Sequence, residues 1–455
     1  MRSYLGSLNP RLTRDVWILQ VGGLVNAFGN GIMLPFLVIY LHNERGVPLG
    51  IAGLVAATNS VCGFASGFVA GSFSDRIGPR RVLSIALCVM AGAVALFPLV
   101  HSAWQAFVLY GVAGLGSGSF WPAQSTLVSA LAPAERRHAV FATQRVTMNL
   151  GVALGGLVGG FIASWSFTAL FLFDAATFLV YAAVLTRVRP PELHPEGAAG
   201  TYRDVVRDRV FMRYTALNAL VIAASVAVWV ELLPPFAKNQ AHVTPRGIGV
   251  LWAVDSLVVV VAQLPAAKLV EGRRRMLVFA LMSLAFAASL LGFAAAGYWT
   301  SGWIAAGLMA GITVVFAAGE CLHGTIHVPL SADLAPPRVV GRYLAFASQS
   351  WQIGWIIGPA GGGFILQHAP FALFPAAAAL QVGAAGFALR LERALPAFAR
   401  RTPRDSPAGV AGTMENMVLA TDDPLSTGAQ PSSHPADPAA PGGGRSAPAP
   451  GTARR

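Results

Sequence analysis

The chain has 455 residues, 55% of them hydrophobic and only 11% charged, with 49 glycines and a formal net charge of +12. So little charge excludes a set of ordinary soluble domains and suits closely packed helices buried in lipid. The positive excess does not describe a nucleic-acid surface, because the arginines fall in short loops at regular intervals and not in one patch.

Residues 1–14 are short and basic, lack an apolar stretch with a cleavage site, and are expected to form a cytoplasmic segment and not a removable signal. Twelve apolar runs follow, at roughly 15–41, 49–72, 82–100, 103–131, 139–163, 167–186, 214–238, 247–268, 277–298, 302–330, 341–367 and 371–391. An α-helix needs about 20 residues to cross a ~30 Å hydrocarbon core, and each run comes close to or exceeds that. Arg11, Arg14, Arg76 to Arg81, Arg136, Arg137, Arg187 to Arg213, Arg273 to Arg275, Arg338, Arg342 and Arg390 to Arg404 all fall on one side of the resulting topology. The opposite loops hold only Arg45, Lys238 and Arg246. Both termini are therefore expected in the cytoplasm. Tyr4, Trp104, Trp165, Trp299 and Trp303 lie near predicted helix ends, as interfacial anchors do.

The segment 187–213 is the longest internal loop and reads as a cytoplasmic linker between an N-terminal bundle at 15–186 and a C-terminal bundle at 214–391. Residues 392–455 read as a disordered cytoplasmic tail, since from 396 onward they are rich in Pro, Ala, Gly and Ser and can bury little. An internal repeat supports the division. Leu131-Ala132-Pro133 recurs as Leu334-Ala335-Pro336, an offset of 203 (334 − 131), and at that offset Gly151, Gly155, Gly159 and Gly160 match Gly354, Gly358, Gly362 and Gly363. Glycines four apart let helices approach closely. The fold class is thus an all-α integral membrane protein, twelve transmembrane helices in two pseudo-symmetric six-helix bundles. Duplicated halves place a substrate site where they meet and let one rock against the other.

Between segments 2 and 3 stands Gly71-Ser-Phe-Ser-Asp75-Arg76-Ile-Gly78-Pro79-Arg80-Arg81. The glycines permit close approach and a tight reversal, and the arginines resist crossing the bilayer. This stretch resembles the loop motif between helices 2 and 3 of the major facilitator superfamily, with Pro79 where many members carry a basic residue. The resemblance covers roughly residues 11–395. It implies a twelve-helix carrier in which Asp75 and its arginines latch the cytoplasmic ends when the protein opens outward; an ordinary positive-inside loop is the alternative. Gly358-Pro359-Ala-Gly-Gly362-Gly363 resembles the glycine–proline motif that antiporters of the superfamily bear on helix 5, here on segment 11. Simple close packing would also explain it.

Polar groups inside apolar runs are costly, so those present usually face a bundle interior. Arg145 and Asn149 share a face of segment 5, and Arg145-x-x-x-Asn149-x-Gly151 resembles a pattern of drug-exporter-like members. Arg145 either holds a carboxylate or anionic substrate group, or snorkels to the cytoplasmic surface. Glu320 on segment 10, followed by Leu-Ala-Pro and Gly341-Arg-Tyr343, looks like a pattern of bacterial exporters and is the first candidate for proton coupling. His323 and His327 extend its face, as a proton relay, a metal site, or hydrogen-bonded packing. Asp255 on segment 8 is a second protonation site or a group wetted by the outer cavity. Glu231, ahead of Pro234-Pro235 near the outer end of segment 7, is either a further proton-coupling group or in contact with water, and Asp174 is expected near the outer surface, simply solvated.

Asn26 and Asn30, followed by the helix-kinking Pro35, either line a cavity or bond helix to helix. Trp121, Gln124, Gln349, Trp351, Gln352 and Trp355 lie on segments 4 and 11, whose equivalents face the cavity in this superfamily. Apolar walls with a few amides and indoles suit an amphipathic, cationic or aromatic substrate. Tyr110 stands where related antiporters often place arginine. The resulting expectation is secondary active transport by alternating access: proton-coupled efflux of a small amphipathic compound across the cytoplasmic membrane, by a monomer that needs no cofactor beyond a proton gradient and binds no nucleic acid. No nucleotide-binding glycine loop is present in the sequence. The alternatives are proton-coupled import of a metabolite and, from another class, a membrane metalloenzyme using Glu320, His323 and His327.

Overall fold

The computed structural model describes residues 12–132, 137–188, 202–336 and 339–403. Apart from one isolated bridge between Arg274 and Arg401, every regular element among them is helical. In the N-terminal half, α1 spans Arg14–Met33, α2 Leu49–Ile77, α3 Pro79–Ala95, α4 Ala103–Leu131, α5 Arg137–Ala163 and α6 Phe167–Leu185. A short helix at Tyr202–Arg207 precedes the second half, so part of the expected linker is helical. There α7 runs Arg209–Ala224 and continues as Val226–Glu231 and Leu233–Asn239, followed by α8 Pro245–Val270, α9 Arg275–Trp299, α10 Gly302–Leu334, α11 Val340–His368 and α12 Leu373–Leu391.

Ten of these spans are long and apolar enough to cross a membrane by composition. The two long helices that fall short are α4 and α11, which carry serine, glutamine and tryptophan in their middle turns. The packing repeats from half to half. Helix α1 lies against α5 and α6, α3 against α4 and α6, and α2 against α4; α7, α9 and α8 repeat these contacts with α11 and α12, α10 and α12, and α10. Across the halves α2 meets α11 and α5 meets α8.

Helices α1 and α7 are both irregular. Pro35 cannot donate a backbone hydrogen bond, and α1 passes there into a 3-10 turn, Leu34–Phe36, before ending in a π turn at Tyr40–Glu44. Helix α7 breaks at Ser225 and again at Leu232, ahead of Pro234-Pro235.

At the arginine-rich end, the expected loop between α2 and α3 shrinks to one residue. Gly78 reverses the chain at φ +85°, a region open chiefly to glycine, and Pro79 starts α3 where its missing N–H costs nothing. Arg76 therefore sits in the last turn of α2. Past α12, Glu392–Ala394 and Ala397–Ala399 form 3-10 turns, and residues up to Thr402 are pinned to the α8–α9 connection. The expected tail thus begins late: Leu395 and Ala399 are buried, and backbone hydrogen bonds to residues 272–275 hold this strap in place. Residues 1–11 (with Tyr4 and Arg11), Pro133 to Arg136, most of the linker, Arg338 and the tail from 404 lie outside the described residues.

Candidate functional site

The two halves close against each other at the end opposite the arginines. A methyl on Gly53 of α2 would overlap the Pro359 carbonyl oxygen of α11, and one on Gly249 of α8 would overlap that of Gly156 on α5. A Cβ at Gly160 would lie 2.7 Å from the Pro245 carbonyl oxygen, and one at Gly363 would lie 2.9 Å from that of Leu49. Side chains finish the seal. Asn43 Nδ2 donates to Asn239 Oδ1 at 2.9 Å and the Gly50 N–H to Gln367 Oε1 at 3.0 Å. Lys238 lies over the Phe167 ring and Arg246 over Phe161, at 5.6 and 5.0 Å from the centroids. Trp104, Trp165, Trp299 and Trp303 are all exposed at helix ends on this side, where indoles favour a membrane interface.

Within each half the repeated glycines seat the discontinuous helices. Gly151, Gly155 and Gly159 bring α5 onto the carbonyl oxygens of Leu24, Phe28 and Ile32 in α1. Gly354 and Gly358 bring α11 onto Ile222, Ala223 and Ala227 in α7, and Gly362 meets Leu232 at the second break. Pro359 has its carbonyl in the seal, so the glycine–proline stretch packs on two helices at once.

Inward from the seal, charges gather on the seam where α5 faces α8 and α10. Arg145 Nη2 donates to Gln263 Oε1 of the other half at 3.0 Å and passes close to Gly324. It lies within electrostatic reach of Glu320 and His323, and Glu320 within reach of Asp255. Asp255 is buried, with Oδ1 making no hydrogen bond among the described residues. Arg145 thus points at the other half and not toward the membrane surface. Asn149, one turn on, donates to the Arg145 carbonyl at 3.0 Å.

His323 and His327 turn away from this seam into the C-terminal half. Their rings stack 5.1 Å apart, and His323 meets Trp351 edge-on. His323 Nε2 pairs with Asn218 Oδ1 at 2.7 Å, Asn218 donates to Ser350 Oγ at 2.7 Å, and His327 Nδ1 meets the Tyr214 hydroxyl at 3.2 Å. Burial of this set is nearly complete. Among the described residues no three His, Cys, Asp or Glu side chains converge as a metal site.

Two carboxylates depart from expectation. Glu231 is 4% exposed, with Oε2 unpartnered among the described residues, because the breaks in α7 turn its segment into the bundle. Asp174, on α6, is 1% exposed, its carboxylate turned onto Gly29 of α1 beside Thr177, so neither is in contact with bulk water. Both lie within electrostatic reach of Tyr110, which is itself buried against Phe97.

Of the expected cavity residues, Asn26 and Gln124 are buried, and Asn30, Gln349, Trp351, Gln352 and Trp355 are half-buried. Trp121 is exposed. Gln352 crosses to α2, its Nε2 near Gly63. In the α2–α3 turn Arg80 donates to the Val188 carbonyl at 2.8 Å, within its own half, while Arg76 and Arg81 are exposed. Gly71 and the Asp75 side chain lie outside the described residues. Gln263, Asn218, Ser350 and Asn59 were not among the expected site residues, although each is a polar side chain inside an apolar run.

The duplication makes the charged seam one of a pair. Helix α2 maps onto α8 with an offset of 196 (249 − 53), and α4 and α5 map onto α10 and α11 with 203 (359 − 156). Asp255 and Glu320 then correspond to Asn59 and Ser117, which hydrogen-bond each other at 3.2 Å, and Arg145 corresponds to Ser348. One seam carries three ionisable groups at the positions where its twin carries an amide and two hydroxyls.

Two duplicated six-helix halves, sealed at one end around buried polar groups, define a membrane carrier and not an enzyme. The model of the Major Facilitator Superfamily matches residues 19–244 and again 232–429, and the chain belongs to that superfamily. It is 26% identical over 367 residues to a Na(+), Li(+), K(+)/H(+) antiporter of Planococcus maritimus, covering 72% of this chain and 84% of that one. It is 23% identical over 385 residues to the multidrug resistance protein MdtH of Klebsiella pneumoniae, covering 82% and 91%. The inward-open xylose transporter XylE of E. coli shares the fold with a TM-score of 0.65 at 15% identity, over 83% of this chain and 95% of that one.

Proposed function

We propose that the chain is a proton-coupled exporter of small amphipathic compounds, with Glu320 and Asp255 as proton carriers and Arg145 as the positive group they answer to. The observation that carries this reading is the placement of Arg145, on one half, beside Gln263 and within electrostatic reach of Glu320 on the other, with Asp255 in turn within reach of Glu320. A proton on Glu320 removes the negative charge facing Arg145 and so weakens the attraction across the α5–α8–α10 seam, and Asp255, within reach of Glu320, is placed to exchange that proton. Protonation and the rocking of the halves are thereby linked, and the gradient drives the cycle with no other cofactor. The names of the antiporter and multidrug relatives support coupling and substrate class. The arginine-rich end faces the cytoplasm, with both termini there, by the positive-inside rule. In this orientation the glycine seal closes the outer face and leaves substrate to enter from inside. The working unit is the monomer, since each half already supplies the other's partner.

The test uses the purified protein in liposomes under an imposed pH gradient, with a panel of aromatic and lipophilic cations. Export predicts that at least one compound accumulates against its gradient as protons flow the other way, and that Glu320→Gln stops both fluxes. Compound and protons moving together would make the protein an importer. Equal proton flux with and without every compound, or an unaffected Glu320→Gln, would sink the proposal.

A further inference from the structure

The strap after α12 builds a basic recess whose lining shares no residue with the α5–α8–α10 seam. Gly272 N–H donates to the Thr402 carbonyl at 3.2 Å, Thr402 N–H to that of Arg273 at 3.1 Å, and Arg275 N–H to that of Arg400 at 2.8 Å. Thr402 Oγ1 also donates to the Val270 carbonyl. These bonds hold Arg274, Arg393, Arg400 and Arg401 around a recess of about 370 Å³, with Glu392 as the one acid in its lining. Glu392 is already engaged, both oxygens accepting from Arg274 at 2.6 and 2.7 Å. Arg400 donates to the Leu395 and Arg393 carbonyls and Arg401 Nη1 to that of Gly272, while the Arg393 guanidinium makes no hydrogen bond among the described residues. Four cations against one anion leave a surplus of three positive charges. Most of the five N–H donors on each of Arg393 and Arg401 remain free for an anion.

The surroundings say which anion. The recess opens at the ends of α9 and α12, whose adjoining turns expose Leu277, Leu281, Phe387 and Leu389. Phe398, on the strap between the arginines, is 70% exposed, an aromatic placed where the headgroup region begins. A free phosphate would use the arginines and leave this apolar rim without a partner. The corresponding corner of the other half, lined by Ile77, Arg80, Arg81, Ser84, Ile85 and Thr186, holds only two arginines, and Arg80 is already donating to Val188.

We propose that the strap recess binds the headgroup phosphate of an anionic phospholipid, with Arg393 and Arg401 on its oxygens and Phe398 beside the acyl chains. Guanidinium forks match phosphate oxygens in pairs, and anionic lipids concentrate positive side chains at the cytoplasmic leaflet. The bound lipid would tie the strap, and through it the α8–α9 connection, to the bilayer surface.

The experiment follows the full-length protein in a neutral detergent by native mass spectrometry and by its unfolding temperature. Dioleoyl-phosphatidylglycerol, dioleoyl-phosphatidylcholine and inorganic phosphate are added in turn to wild type, to the Arg393→Gln/Arg401→Gln double variant and to Phe398→Ser. The expected result is retention of phosphatidylglycerol and a raised unfolding temperature in wild type, with no such response to phosphatidylcholine. The double variant should hold one phosphatidylglycerol fewer, its affinity at the recess lowered about 30-fold, and Phe398→Ser should weaken the same adduct. Equal response to the two lipids in wild type overturns the proposal, and needs no variant to fold. An unchanged adduct count in a double variant of native helical content does the same. If inorganic phosphate reproduces the stabilisation and Phe398→Ser changes nothing, the recess takes free phosphate and the lipid assignment is wrong.

Discussion

Replacing Gly160 with alanine tests whether the glycine seal sets the balance between the two open forms. The new Cβ would meet the Pro245 carbonyl oxygen at 2.7 Å, the Arg246 Cα at 3.1 Å and the Gly249 Cα at 3.3 Å. All three are backbone atoms of the other half, so no rotamer change relieves the overlap. Carbon atoms pack best at about 3.5–4.0 Å, and α5 and α8 must therefore part by roughly half an ångström. Overpacking of this kind costs about 1–3 kcal/mol, here charged only to the sealed form. The ratio of sealed to open molecules should fall about 5–150-fold. Asn43 and Asn239, hydrogen-bonded across the seal, offer the readout. In a background with Cys62, Cys88 and Cys321 replaced, Asn43→Cys and Asn239→Cys should cross-link rapidly, and Gly160→Ala should slow that reaction. Gly92→Ala is the control, because a Cβ there has open space. Cross-linking as fast in Gly160→Ala as in Gly92→Ala would refute the reasoning.

Three further outcomes are expected. Gly78→Ala forces an L side chain to φ +85° and should destabilise the α2–α3 turn by about 1–3 kcal/mol, seen as a lower unfolding temperature and reduced yield. His323→Ala strips Asn218 of a buried partner and should cost about 1–3 kcal/mol or more once the lost packing on Trp351 is added; Asn218→Ala made together with it should cost less than the two losses summed. Asp174→Asn removes a buried acid while keeping its shape, and should leave transport in place and the unfolding temperature equal or higher, whereas Glu320→Gln should lose transport; a transport loss in Asp174→Asn would move the coupling site to α6.

Most of the architecture is legible in the residues because lipid leaves the chain little choice. Each span must supply its own backbone hydrogen bonds over a fixed thickness, so apolar runs and their arginine-marked ends trace the helices to within a few residues. Gly78-Pro79 likewise marks a stop and a start, and the glycine spacing marks close crossings. Depth within the bundle is another matter. Asp174 and Glu231 read as surface groups because position along a helix does not tell which way the face turns, and the break at Ser225 has no proline to announce it. The 392–403 strap was hidden by its composition. Its order comes from Leu395, Ala399 and Thr402 meeting a partner more than a hundred residues away, a contact no local pattern encodes. In the site, charge inside an apolar run marks Arg145 and Glu320, whereas the neutral Gln263 and Asn218, partners of Arg145 and His323, carry no such mark.

The unequal seams bear on how such a molecule moves. At the α11–α2–α4 contact, Asn59 and Ser117 hydrogen-bond each other within one half and Gln352 of the other reaches Gly63 beside them, all neutral groups indifferent to protons. The α5–α8–α10 contact holds Arg145, Asp255 and Glu320, whose charge the proposed coupling would use to stiffen or loosen it. Under the proposed coupling, a duplicated protein built this way would swing like a door, with a bearing along one edge and a proton-operated bolt along the other.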